Sequence, residues 1–211
     1  MRRWAVFARS TTIHGQPAMT EAGIRHVRDV VMPQVRGLSG CVGISLLADR
    51  TKGRCIVTTA WESQEALRES ADTVAPIRAR AAKEFGGEVT LDEWEVAYVH
   101  RSHHAGDGAC ARVTWTEADP EAIDRVVEAF RTSIMPRVEQ LDGFCSASLM
   151  IDRARGRSCV TASYDSTEAM AHAADTAMGL RADLVQETGM RVMEVAEFEL
   201  ALAHLDVPEL V

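Results

Sequence analysis

Apolar positions along the chain switch between two periods, and the whole series of switches occurs twice. A first short strand is expected at about residues 3–12. Beyond it Ile24, Val27, Val31, Val35 and Leu38 recur every three or four residues, the signature of one buried helix face. Cys41 to Ala48 and Cys55 to Trp61 are then almost continuously apolar or small, as in strands covered on both faces. Ser63 is a suitable N-cap for a second helical region, which leads to a final strand at about residues 88–99. From about residue 109 the series returns. A strand at 109–116 precedes a helix face of Ile123, Val127, Phe130, Ile134, Val138 and Leu141, an N-cap at Ser166 and a last strand at about 190–203.

The return is also legible residue by residue. At a constant offset of 103, Met32-Pro33 matches Met135-Pro136 and Gly40 matches Gly143. The hairpin from Asp49-Arg50 to Gly53-Arg54 likewise matches that from Asp152-Arg153 to Gly156-Arg157. About 23 of some 55 positions between Met32 and Gly86 are identical at this offset, far above chance for a fixed register. Pro33 and Pro136 should bend or tighten the last turn of their helices. Gly53 and Gly156 suit a hairpin turn that needs a positive φ. Each repeat therefore reads β-α-β-β-α-β, a ferredoxin-like order. The expected fold is α+β: residues 1–99 and 109–211, joined by a polar linker at 100–108, pack as an intramolecular barrel. Internal pairing leaves a monomer, or a weak homodimer, as the expected assembly.

Composition narrows the function. The formal charge of -8 argues against nucleic acid, which needs a cationic surface. No apolar stretch approaches the length of a membrane span, and the arginines near the N-terminus lead into no apolar signal core. The five cysteines form no C-x-x-C pair and fall mostly in strand-like runs, so buried thiols in a reducing cytoplasm are expected. Dinucleotide, P-loop, G-x-S-x-G and H-E-x-x-H signatures are missing, and no cofactor is expected.

The path from the M-P-x-V helix end through Gly40 or Gly143, D-R-x-x-G-R and W-E-S-x-E-A-L resembles the antibiotic biosynthesis monooxygenase-like family of dimeric α+β barrels, over nearly all of both repeats. The resemblance implies a ligand cleft between sheet and helices. It implies either a cofactor-independent monooxygenase, acting on or binding a small aromatic or enolisable molecule, or a non-catalytic small-ligand-binding or accessory barrel. The haem-degrading branch places an Asn late in the first strand and a haem-ligating His in the second helical region. This chain has Ala8 and Ala111 at the first place, and Arg78 and Arg181 near the second. The polyketide oxygenase branch holds a phenolic substrate with Trp, Asn, Tyr and Arg. Trp61 and Tyr164 offer the aromatic part, and the chain contains no Asn.

Arg9 and Arg112 lie on the first strands with Thr11 and Thr114 two residues on, hence on the same face. A charge in a central strand needs a partner or a cleft. Either these pairs orient a carboxylate, phenolate or enolate, or the arginine is bridged to an acidic group of a neighbouring strand. Arg78 and Arg181 either reach the cleft mouth or stay solvated on a helix surface. Trp61 and Tyr164 either wall the cleft or belong to the core. Tyr164 and His172 add a phenol and an imidazole that repeat one lacks at those positions, as candidate proton-transfer groups. Met178, with Met190 and Met193, gives repeat two adaptable apolar side chains. The better ligand site is therefore expected in repeat two. His100, His103 and His104 form H-x-x-H-H in the linker without an accompanying Cys or carboxylate, and no metal site is expected there.

Overall fold

The computed structural model describes residues 5–205 and 207–210. The expected strand start at residue 3 and the last residue of the tail lie outside them. Repeat one runs β1 (Val6–His14), α1 (Thr20–His26), α2 (Met32–Arg36), β2 (Cys41–Asp49), β3 (Arg54–Trp61), α3 (Gln64–Glu69), α4 (Ala71–Phe85) and β4 (Glu88–Arg101). Repeat two follows the same order with β5 (Cys110–Glu117), α5 (Ile123–Ala129), α6 (Met135–Val138), β6 (Phe144–Asp152), β7 (Arg157–Tyr164), α7 (Thr167–His172), α8 (Ala174–Thr188) and β8 (Arg191–Leu205). Hydrogen bonds order the strands β1-β3-β2-β8-β5-β7-β6-β4 in a closed barrel.

The local signals of the sequence account for the elements. Between α1 and α2, and between α5 and α6, the helix widens into a π turn, Val27–Val31 and Phe130–Ile134. Pro33 and Pro136 follow at once. Each lacks an N–H, and its ring crowds the carbonyl four residues back, so the preceding turn takes the wider spacing. Both N-caps form: Ser63 Oγ accepts from the Ala66 N–H at 3.0 Å and Ser166 Oγ from the Ala169 N–H at 3.2 Å. In the hairpins Asp49 and Asp152 accept backbone N–H groups of the turn, while Gly53 and Gly156 take φ of 68° and 65°.

Two compact units result, one of residues up to Glu95 with Glu199–Val207, the other of Val96–Phe198 with the residues from Pro208. Their limits fall inside β4 and β8, so each of these strands begins in one unit and ends in the other. In the first unit β2 lies between β3 and the second half of β8, paired from Gly43↔Leu205 to Ala48↔Glu199. Each unit carries its own core between sheet and helices. Ile13, Val27, Leu46, Trp61 and Phe85 anchor the first, and Phe130, Leu149, Ile151, Tyr164 and Leu180 the second. Fully burying one such aliphatic or aromatic side chain stabilises the fold by about 1.5–3 kcal/mol.

Candidate functional site

Period two in β1 and β5 sends Arg9 with Thr11, and Arg112 with Thr114, to the helix-facing side of the sheet, where all four are buried. Arg9 is saturated. Its Nη2 donates to Oε1 of Glu93 on β4 at 2.8 Å and to the Leu67 carbonyl at 2.9 Å. Its Nε donates to Glu93 at 3.0 Å, and Nη1 donates to Oγ of Ser70 at 3.2 Å. Arg112 repeats most of this pattern. Nη2 donates to Oε1 of Glu197 on β8 at 2.8 Å and to the Met170 carbonyl at 2.9 Å, and Nε donates to Glu197 at 3.1 Å. The difference is at position 173, where Ala stands in place of Ser70. Nη1 of Arg112 is buried and has no acceptor among the described residues. The salt-bridge alternative thus describes Arg9 fully and Arg112 only in part.

Arg112 lines a cavity of about 70 Å³ within repeat two, between the sheet and its helices. Phe130, Ile134, Leu149, Leu180 and Leu184 give it apolar walls. Arg181 and Tyr164 join Arg112 at one end, and Thr116 and Ser158, hydrogen-bonded to each other, lie toward the other. The register Arg112↔Ala162 and Thr116↔Ser158 sets these polar ends four residues apart, about 13 Å along the strands. Burial lowers the Arg181 pKa, and the like charge of Arg112 lowers it further. Burial raises the Tyr164 pKa more than the two guanidinium charges, and an approach of Arg112 that falls short of full hydrogen-bond geometry, lower it, which keeps the phenol protonated.

Repeat one fills the matching space. The Phe85 ring lies against Gly23, where a Cβ would collide with it. Repeat two has Thr188 and Val126 at these two positions, and Ile13, Ile44 and Cys55 become the lining residues Thr116, Ala147 and Ser158. Trp61 is a core residue, fully buried, with Nε1 donating to Oγ1 of Thr59 at 3.1 Å. Tyr164, its counterpart, has Ala162 in place of that hydroxyl and faces the cavity.

Other expected site residues fall elsewhere. Arg78 and Arg181 are not solvated helix arginines: both are half-buried, with pKa lowered by burial and by the adjacent Arg9 or Arg112. His172 is exposed at the end of α7 and Met178 is 60% exposed on α8, and neither lines the cavity. Each stands two residues from a buried position, Met170 and Leu180, and two helical residues rotate a side chain by about 200° to the opposite face. Met190 lines the cavity instead. The linker histidines also differ from expectation, because distant segments bring them partners. His100 lies 3.7 Å from Glu139 and 3.5 Å from Glu209, and His103 Nε2 is 2.8 Å from Oδ1 of Asp165, which also touches Cys145. Sequence reasoning passed over Thr116, Ser158, Glu197 and Ala173. The signal for Thr116, Ser158 and Ala173 is the exchange of residue type with Ile13, Cys55 and Ser70, while Glu197 repeats Glu93.

No family model matches the chain. Two proteins of Mycobacterium tuberculosis H37Rv are similar along nearly its whole length. The uncharacterized protein Rv2558 is 54% identical over 207 residues, which is 98% of this chain and 88% of the relative. The uncharacterized protein Rv2557 is 50% identical over 208 residues, 99% of this chain and 93% of the relative. Among solved structures, an anthrone oxidase-like protein superposes with a TM-score of 0.72 at 13% identity, covering 100% of this chain and 96% of its own. A ferredoxin-fold protein related to antibiotic biosynthesis monooxygenases, from Listeria monocytogenes, gives 0.53 at 11% identity over 94% and 95%. The heme-degrading enzyme LmHde of L. monocytogenes gives 0.53 at 12% identity over 92% and 98%. The fold is the antibiotic biosynthesis monooxygenase-like ferredoxin fold, in tandem.

Proposed function

The chain belongs to the family of Rv2558 and Rv2557 of Mycobacterium tuberculosis, and we propose that it holds a small aromatic or enolisable molecule, as its anion, in the cleft of repeat two. One observation carries this reading: Nη1 of Arg112, which lines the cavity, is buried without an acceptor, while Nη1 of Arg9 donates to Ser70 and the orphaned nitrogen of repeat one is Nη1 of Arg78 instead. An unsatisfied buried donor costs about 1–3 kcal/mol, more when charged, and a ligand oxygen would recover that cost. A phenolate, enolate or carboxylate accepts such a charge-assisted bond best. Arg181 supplies a second positive charge, Tyr164 a protonated phenol, and the apolar walls suit an apolar body.

The monooxygenase-like neighbours favour a finer reading, in which the bound anion is the electron donor to O2. In that reaction an activated methylene becomes a carbonyl: one oxygen atom stays in the new C=O, and the other leaves as water with the two hydrogens. Binding without conversion is the second reading, favoured by a cavity far below the roughly 300 Å³ at which small-molecule sites begin. Turnover requires the cleft to widen around the flexible Met135 and Met190. Oxygen uptake with a panel of phenols that carry an enolisable methylene, such as anthrones, separates the two. Uptake that disappears in Arg112→Gln supports oxygenation, and saturable binding without uptake supports a binding protein. Neither binding nor uptake rejects the proposal.

A further inference from the structure

A second cluster in repeat two takes no part in the cleft. At the start of β6 the ladder pairs Phe144 with Tyr164 and then Ser146 with Ser163, which leaves Cys145 as the extra residue of a β-bulge. Bulges of this kind re-aim a side chain out of the strand alternation. Here Sγ of Cys145 lies 3.2 Å from Oδ1 of Asp165, and the same carboxylate oxygen lies 2.8 Å from Nε2 of His103. All three atoms are within 4.8 Å of one another.

We propose that His103, Cys145 and Asp165 form a binding site for a divalent transition-metal ion of the zinc class, with solvent as the fourth ligand. Zinc bonds of about 2.0–2.1 Å to N or O and about 2.3 Å to S give tetrahedral ligand-to-ligand edges of roughly 3.3–3.5 Å. The Cys145–Asp165 separation already matches. The His103–Asp165 edge opens by about half an ångström, a shift within reach of two exposed side chains. A thiolate, an imidazole and one carboxylate together favour zinc or cobalt over calcium or magnesium, which take oxygen ligands.

The scaffold holds the three residues in place before any ion binds. The N–H groups of Ser102 and His103 donate to the Cys145 carbonyl at 2.8 and 3.3 Å, tying the histidine loop to the residue that bears the thiol. The Asp165 N–H donates to the Gly143 carbonyl at 2.8 Å and anchors the third residue to the same bulge. Cys145 is buried while His103 and Asp165 are half-exposed, which leaves one side open to a water ligand and to the arriving ion. The bulge itself needs none of this chemistry. Repeat one makes it between Cys41 and Gly43 with Val42 at the extra position and Glu62 in place of Asp165.

The test is titration of the full-length, untagged, metal-free chain with Co2+ alone, followed by displacement with Zn2+. One equivalent should bind with a thiolate-to-cobalt charge-transfer band in the near ultraviolet, and Zn2+ should abolish that band. Cys145→Val, which installs the repeat-one residue, should lose the band and keep the fold by circular dichroism. His103→Ala and Asp165→Asn should each weaken binding at least tenfold. The assignment is overturned if no stoichiometric ion binds, if the band survives in Cys145→Val, or if neither His103→Ala nor Asp165→Asn weakens binding. Binding without a thiolate band would also overturn it, since it would point to the linker histidines acting alone.

Discussion

Ser70 and Ala173 occupy the same place in the two repeats, and that single oxygen decides whether Nη1 of the buried arginine has an acceptor. Ser70 Oγ accepts from Nη1 of Arg9 at 3.2 Å, whereas beside Ala173 the Nη1 of Arg112 has no acceptor. The remaining bonds of the two arginines, to Glu93 and Leu67 or to Glu197 and Met170, are nearly superimposable in kind and length.

Restoring the missing oxygen should therefore close the site without damaging the fold. In Ala173→Ser the new hydroxyl competes for Nη1 of Arg112, and affinity for a small phenolate should fall roughly tenfold, the worth of one hydrogen bond. Thermal stability should hold or rise. Isothermal titration reads the affinity and thermal unfolding the stability, and unchanged affinity in a folded variant counts against the role given to Nη1.

The exchange of Phe85 and Gly23 for Thr188 and Val126 is a test of how repeat one is filled. Phe85→Thr should cost about 3 kcal/mol or more by leaving a void against Gly23. Gly23→Val alone should cost about 1–3 kcal/mol, because its side chain collides with the ring. Together they install the repeat-two pair, and the double variant should be at least about 1 kcal/mol more stable than the sum of the single costs predicts. Strictly additive losses in chemical denaturation would show that the two positions do not share one space.

Buried thiols set an alkaline limit on stability. Burial pushes the Cys55 thiol from its ordinary value of 9.0 up to about 12, and Cys110 up to about 11. The folded chain then keeps protons that the unfolded chain releases, so this stabilisation is complete below about pH 9 and is lost as pH climbs toward 11 and 12. Urea midpoints should fall across that window, and Cys55→Val should flatten part of the fall. A flat midpoint from pH 8 to 11 would be inconsistent with both shifts.

What is local in this fold is legible in the sequence. The helix faces, the serine caps and the glycine hairpins depend on neighbours a few residues away, and the offset of 103 doubles each signal. Pro33 and Pro136 announce a distorted helix end, though only geometry reveals that the distortion is a π turn before them. What the sequence hides is convergence. Arg112 meets Met170, Ala173 and Glu197 only because β5 packs beside α7 and β8, and His103 meets Cys145 only because a bulge turns the thiol toward the linker. His172 and Met178 mislead for a related reason: residue type marks them as useful, while helix phase points them away from the cleft.

Whether the anion sits beside Arg112 and not beside Arg9 is decided by a crystal of the full chain soaked with a hydroquinone. Ring density is expected in the repeat-two cleft, with one ligand oxygen about 3 Å from Nη1 of Arg112, and no ligand between Phe85 and Gly23. A ligand in repeat one, or equally in both repeats, or a repeat-two cleft still empty at a concentration that saturates binding in solution, would contradict it.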